Sequence, residues 1–465
     1  MQDLRASVAA MALGVVVLRG APARAEPPIA FPAQPTSAMS LRQALDHAHL
    51  HQPSIAAARA RVEVARANAA VPRAAFAPRV TAAAEVLAGT SNNTTASYAT
   101  LGILDVARIG GTPANASVSW RPEPSTIVGV SVHKELYDFG RLEAQADALD
   151  ELARSAEEIA KVAQLDLDLL VEESFYAILG ARAVLAASDA AVTRGRAHRD
   201  LAQARVTAQL WPPIELTRAD ADLARYELDR VRAAGALASA QAVFAAAIGS
   251  TDASLDAGPD DVTLPTAPAS VAAVRASFQN APELRSAQAQ LRAQRQITEA
   301  IRAELRPDIS LSAELTGRAG GATVETNPTP AGGGFVPDVP NWDALVVFSW
   351  PIFDRTVTAR ARTSERVEAV RKAEIDQITE QLETLAARGY IELDIARSAL
   401  PALQRALDAA QANHAQAEAR FTGGLGTAIE LSDAEALLTD AQIQLAIGQF
   451  QLSRAHARLG RLISE

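Results

Sequence analysis

The stretch from Ala419 to Leu438, ARFTGGLGTAIELSDAEALL, has a copy elsewhere in the same chain. Ala204 to Leu223, ARVTAQLWPPIELTRADADL, aligns with it without a gap at an offset of 215, with ten of twenty positions identical. Each copy is a polar turn between long helix-forming runs, and Ile-Glu-Leu opens the helix that leaves it (Ile214, Glu215, Leu216; Ile429, Glu430, Leu431). A pattern of this length, flanked by helices in both places, marks a larger duplication. The 465 residues therefore divide into two similar halves instead of the three or so domains that length alone would suggest.

Other landmarks repeat in the same order. Pro53 and Pro78 lie 25 residues apart, as do Pro282 and Pro307, at an offset of 229. Ser40 with Gln43 forms a capping-box pattern for a helix starting at Leu41. Pro53 interrupts that helix, Pro78 ends its continuation, and beyond each terminal proline the period changes from helical to alternating. Ile309, Leu311, Ala313 and Leu315 face one way, with Ser310, Ser312, Glu314 and Thr316 on the other side. Val80, Ala82, Ala84 and Val86 alternate in the same manner with Thr81, Ala83, Glu85 and Leu87, so Glu85 and Glu314 fall at matching positions. Polar, Gly-rich loops follow at 89–115 and 317–341. Returning strands are expected over 127–137 and 344–353, with Val128, Val130, Val132 and Val346, Phe348, Trp350 on the apolar side.

From Asp138 and Asp354 the helical period resumes. Ile159, Val162, Leu165, Leu169, Tyr176 and Leu179, and then Ile375, Ile378, Leu382 and Leu385, step as coiled-coil seams. Each run predicts a helix of roughly 70 residues, about 100 Å long, that ends at one of the duplicated turns. Pro401 is expected to kink the second. The expected segments are a signal peptide over 1–25, an extended stretch over 26–40 and a first repeat over 41–249, with its hairpin at about 79–138 and its tip at about 207–214. A linker over 250–269 and a second repeat over 270–465 follow, with a hairpin at about 308–354 and a tip at about 422–429.

Composition agrees with long, lightly packed helices: 49% of residues are hydrophobic, but aromatics are only 4%. A net charge of −10 argues against a nucleic-acid partner. Arg5, a short apolar run over 9–18 and Ala23-Arg24-Ala25 read as a secretory signal. The chain has no cysteine, hence no disulfide, thiolate metal site or cysteine for a lipid anchor. No later stretch reads as a transmembrane helix, so any span must be built of strands. Trp120, Trp342 and Trp350, with Tyr137 and Phe353, gather in or beside the hairpins, as the aromatic girdles of a membrane barrel do. Four strands cannot close a barrel and lipid tolerates no open edge, so such a chain must oligomerise.

These residues resemble the TolC-like outer membrane efflux proteins. The resemblance rests on the duplication, the strand-to-helix junctions at 136–141 and 350–354, the helix-to-strand junctions at Pro78 and Pro307, and the two tips. It implies an α+β membrane protein of two tandem helix–strand–strand–helix–helix repeats. It further implies a trimer with one 12-stranded β-barrel and a long α-helical coiled-coil tunnel in the periplasm. Such a protein is a passive exit duct for tripartite efflux or type I secretion. Its partners are outer membrane lipid, a periplasmic adaptor (membrane fusion) protein and an inner-membrane pump of RND, ABC or MFS type. The alternative from another class is a periplasmic coiled-coil scaffold or pump adaptor.

The resemblance also implies site residues. Glu430 and Asp433, at i and i+3 of the helix leaving the second tip, match acidic residues that ring the tunnel's constriction. Arg218, three residues after Glu215, is expected to pair with Glu430 or Asp433 of a neighbouring hairpin as a latch. Trp211, Pro212, Pro213, Gly423, Gly424 and Gly426 form the tips that meet an adaptor. Glu85 and Glu314 are expected to face the barrel lumen.

Enzymatic chemistry has little footing. His47 and His51 share a helix face at i, i+4, with His49 between them, but no third ligand is placed by sequence, so no metal is assigned. Gly423 to Gly426 lacks the Lys-Ser/Thr and the preceding strand of a phosphate loop. No nucleophile, base and orienting carboxylate group together, so no catalytic residue and no cofactor are assigned.

Overall fold

The computed structural model describes residues 38–90, 122–252, 254–258, 272, 274, 278–320, 336 and 339–463. The expected signal peptide, most of the extended segment, Trp120, most of both hairpin loops and most of the linker lie outside them.

Helices α1 (Leu41–His51) and α2 (Pro53–Ala74) lead into strands β2 (Arg79–Thr90) and β3 (Pro122–Tyr137). A short β1 (Ala38–Met39) precedes α1. Helix α3 (Arg141–Thr207) and its return α4 (Pro213–Ala247) complete the first repeat. The second repeat begins after β4 (Asp256–Ala257), with α5 (Pro282–Ala303), β5 (Asp308–Gly320) and β6 (Val339–Ser349). It ends with α6 (Arg355–Thr422) and α7 (Ala428–Ile463). The two long helices have 67 and 68 residues, close to 100 Å at the helical rise. Helix α6 runs without interruption through Pro401.

The capping box forms as the sequence indicates: Gln43 N donates to Ser40 Oγ (3.3 Å) and Ser40 N to Gln43 Oε1 (3.0 Å). At the strand-to-helix junction, Phe139 (φ 53°) and Gly140 (φ 93°) are successive left-handed residues, and glycine is the one that takes this conformation without penalty. The buried Asp138 carboxylate then accepts from Gly140 N (3.2 Å) and Leu142 N (2.6 Å), which satisfies free amides of α3. Asp354 caps α6 likewise through Thr356 N (2.7 Å).

The four long strands form one antiparallel sheet in the order β2-β3-β5-β6. Its register sorts the side chains cleanly. Val80, Ala82 and Ala84 lie opposite Val132, Val130 and Val128. That face continues through Leu315, Trp342, Val346 and Phe348, and all four of these are exposed. The other face carries Glu85, Ser131, Ser310, Ser312, Glu314 and Asp343, with the three serines buried. Short polar residues are thus covered on one face, and large apolar residues are bare on the other. Trp350 departs from expectation: β6 ends at Ser349 before Pro351. The Trp350 indole donates to Leu305 O (3.2 Å) at the helix–strand junction, so it does not lie on the strand face.

The helices form a layered row. Near the sheet the order is α2-α3-α5-α6; towards the tips α4 and α7 take the places of α2 and α5, giving α4-α3-α7-α6. The most buried stripe of α3 is Leu167, Val171, Ser174 and Ile178; of the expected set Tyr176 is buried with it and Leu179 packs against it, whereas Ile159 is exposed. In α6 the seam is Leu382, Ala386, Gly389, Leu393 and Ala396, and Leu385 lies outside it. Alanine at so many positions leaves the phase ambiguous in the sequence. One stretch of α3 is also long and apolar enough to cross a membrane by length and composition, contrary to the sequence expectation. It packs within the bundle, where Phe175 and Ile178 join Phe244, Ile248 and residues of α1 in one buried cluster.

Candidate functional site at the helical tips

The duplicated turns fold to the same hydrogen-bonded geometry. Leu210 N donates to Arg205 O (2.9 Å) and Gln209 N to Val206 O (2.9 Å); Leu425 N donates to Arg420 O (2.8 Å) and Gly424 N to Phe421 O (3.2 Å). Each is a Schellman end with its left-handed residue at Gln209 (φ 58°) or Gly424 (φ 73°). Gly426 is tightly enclosed, since a Cβ there would meet Arg420 Cβ at 3.1 Å.

The leucine that follows the left-handed residue usually packs back on its helix. Here Leu210 and Leu425 are 73% and 78% exposed, and Ile214 and Ile429 beside them are also bare. The offset of 215 thus places two equivalent apolar knobs on each tip. These four residues are not among those the sequence singles out for adaptor contact, although Leu, Ile and the offset are all visible in it. Of the expected tip residues, Pro212, Pro213, Gly423 and Gly424 are exposed, whereas Trp211 is partly buried. Its ring lies 5.3 Å from that of Phe421, within a cluster that includes Ala417, Leu431 and Ala434. The Arg205 guanidinium sits 4.6 Å above the indole, and the His198 ring meets Phe421 edge-on. One hairpin is thereby clasped to the other.

Glu430 and Asp433 are exposed near the start of α7. The expected cross-hairpin latch is not formed within the chain. Arg218 reaches Glu215 of its own helix at 3.5 Å, and Glu430 instead faces Arg420 at 3.8 Å. Glu215 and Arg218 are at i and i+3 of one helix, so the local partner is the nearer one. Arg420 lies in the last turn of α6, ahead of the glycine-broken turn itself.

Behind the tips lies a polar layer that local sequence does not reveal. Glu435 of α7 is 5% exposed, and burial pushes its carboxyl up to about 7. Arg194 of α3 donates to Thr439 Oγ1 (3.0 Å), and Ser432 Oγ donates to Asp222 Oδ2 (2.7 Å). Tyr226 is buried beside them, its phenol pushed up to about 12 chiefly by desolvation. A cavity of about 470 Å³ opens against Tyr226 and Thr439.

The histidines of α1 act as fasteners. His47 and His51 stack at 4.0 Å, with their Nδ1 atoms on Ile248 O (3.0 Å) and His47 O (2.9 Å), while His49 Nε2 meets Asp168 Oδ1 at 2.5 Å. Among the described residues no group of three potential ligands is placed to hold a metal.

Residues 44–250 and 273–465 match the family described as outer membrane efflux protein. No curated protein matches the chain by sequence. Among solved structures, a membrane protein from Pseudomonas aeruginosa superposes with a TM-score of 0.75 at 21% identity, over 94% of this chain and 99% of that one. VceC, an outer membrane protein of Vibrio cholerae, gives 0.71 at 17% identity over 91% and 95%. The open state of the MtrE outer membrane channel of Neisseria gonorrhoeae gives 0.70 at 18% over 91% and 88%. At these identities the likeness is one of fold.

Proposed function

Because this chain belongs to the outer membrane efflux protein family, it is an outer-membrane channel and not a soluble scaffold, and we propose that three copies close into one exit duct. The observation that carries this reading is the two-faced sheet with both edges free. Among the described residues, strands β2 and β6 each pair on one side only. Lipid does not tolerate such edges, and joining β6 of one copy to β2 of the next continues the antiparallel order. Three copies give a barrel of 12 strands, with Val346 and Phe348 towards lipid and Glu85 and Glu314 lining the lumen. The strands have 11 to 16 residues, enough to cross the hydrocarbon core when tilted.

The helices support the same closure. Leu228 and Val231 of α4, at one edge of the row, and Ile391 and Ile395 of α6, at the other, are exposed in a single chain. Copies joined head to tail would cover both sets and form a ring. At the far end, Glu430 and Asp433 from each copy encircle the aperture and favour cations. The partner there is a periplasmic adaptor that couples the duct to an inner-membrane pump. Leu210, Ile214, Leu425 and Ile429 are the apolar knobs that an adaptor's helical ends would cover, on turns shaped by Pro212, Pro213, Gly423, Gly424 and Gly426. Trp211 supports the turn from within.

Membrane fractionation followed by light scattering in mild detergent tests the reading. A trimer in the outer-membrane fraction is expected; a monodisperse soluble species, or an inner-membrane one, would overturn it.

A further inference from the structure

Four helices meet one to three turns behind the tips, and the contact there is polar between two apolar layers. Phe421, Leu431 and Ala434 close it on the tip side, and Ala191, Val192 and Tyr226 on the other. Glu435 lies in this layer, on the stripe of α7 that also carries Leu431 and Leu438, all of them buried. Every helix of the junction presents charged or titratable groups to it. Arg194 and His198 come from α3, Asp222, Arg225 and Tyr226 from α4, and His414 and Glu418 from α6. The layer is incompletely satisfied: Arg194 Nε and His198 Nε2 are buried without a hydrogen-bond partner. Such a layer costs little to take apart once water reaches it.

We propose that Glu435 is a proton-operated lock between the two coiled-coil hairpins: its neutral carboxyl keeps α7 seated on α3 and α4, and its ionisation releases that contact and loosens the tip. This rests on the duct reading, because a lock at this height matters only where the tips bound an aperture. The sign follows from the surroundings. Desolvation, the largest influence on Glu435, opposes its charge, and Asp222 and Glu418 add to it; the Arg194 guanidinium acts against them. The carboxyl titrates near 7 when packed, against an ordinary 4.5 when hydrated. The Glu435 contribution to the seated arrangement is therefore fully present below 4.5, weakens as pH rises towards 7 and changes little above that, while His198 and His414, whose values burial lowers, act in the opposite sense at acid pH.

Hydrogen exchange of residues 428–446 in the purified full-length oligomer, corrected for intrinsic rates, reads this directly. The ratio of wild-type to Glu435→Gln protection, which cancels the contribution of His198 and His414, is expected to fall roughly 40-fold between pH 5 and pH 7 and then level off. A ratio that does not change with pH would overturn the lock. Should Glu435→Gln fail to fold, wild-type protection that rises throughout from pH 5 to pH 7 would overturn it equally. Exchange needs no conduction, so failure of the duct reading would show separately, in the oligomeric state.

Discussion

The indole of Trp211, in the first turn, lies 5.3 Å from the ring of Phe421, in the last helical turn before the second. The contact joins hairpins that are 215 residues apart in origin but lie side by side at the tip. Phe421 is 2% exposed, so Phe421→Ala removes a fully packed ring and leaves Trp211 and the Arg205 guanidinium without their platform. A buried Phe→Ala change costs about 3–5 kcal/mol. The expected outcome is a tip that opens more readily, seen as higher single-channel conductance in planar bilayers, with barrel assembly intact.

A glycine just behind the tip gives a sharper packing test. A Cβ on Gly195 would lie 2.9 Å from Tyr226 Cδ2, whereas one on Gly235 meets nothing within 4 Å. Gly195→Val should displace the buried Tyr226 ring and destabilise the α3–α4 contact by roughly 1–3 kcal/mol. Gly235→Ala, in an open position of α4, should stabilise by about 0.5–1 kcal/mol through helix propensity. Thermal unfolding of the purified oligomer should move in opposite directions for the two variants.

Arg420 and Glu430 carry the third prediction. The pair is open to solvent at 3.8 Å, with side chains 60% and 49% exposed, so it contributes at most about 1 kcal/mol to stability. Its effect on ions should be larger than its effect on folding. Arg420→Ala should leave the melting temperature almost unchanged and raise cation selectivity by freeing Glu430, while Glu430→Ala with Asp433→Ala should lower selectivity. Reversal potentials across a salt gradient measure both. Unchanged potentials in the acidic double variant would rule out the ring.

Much of this architecture is legible in the sequence because it is written in local signals that repeat. Pro307 followed by alternating Ile309, Leu311 and Ala313 announces a helix giving way to a strand. The duplicated Ile-Glu-Leu marks the helix that leaves each turn. Local signals fail where partners come from far away. Glu435 looks like any solvated glutamate of an amphipathic helix, and only its place four residues after Leu431 and three before Leu438 hints that it sits on the buried stripe. For Arg218 the family resemblance points to a distant partner, although Glu215 on its own helix lies within reach. The bare Leu210 and Leu425 are hidden by the opposite effect, since leucine after a helix end normally packs back.

The sheet register yields the last prediction. Phe348 lies opposite Ile309, and Glu314 opposite Asp343, so the two test residues occupy opposite faces of the same strand pair. Phe348 is among the bare apolar residues of its face, and an arginine there would sit in hydrocarbon once the barrel is inserted. A charge on the lipid face costs roughly 2–4 kcal/mol near mid-bilayer and less towards the interfaces. Phe348→Arg should therefore reduce the amount of trimer recovered from outer membranes. Glu314→Gln removes a charge from the polar face of the sheet and should leave recovery at the wild-type level. Equal recovery of both variants in a quantitative membrane blot would mean that the two faces do not differ in what they meet, and the barrel assignment would fail with it.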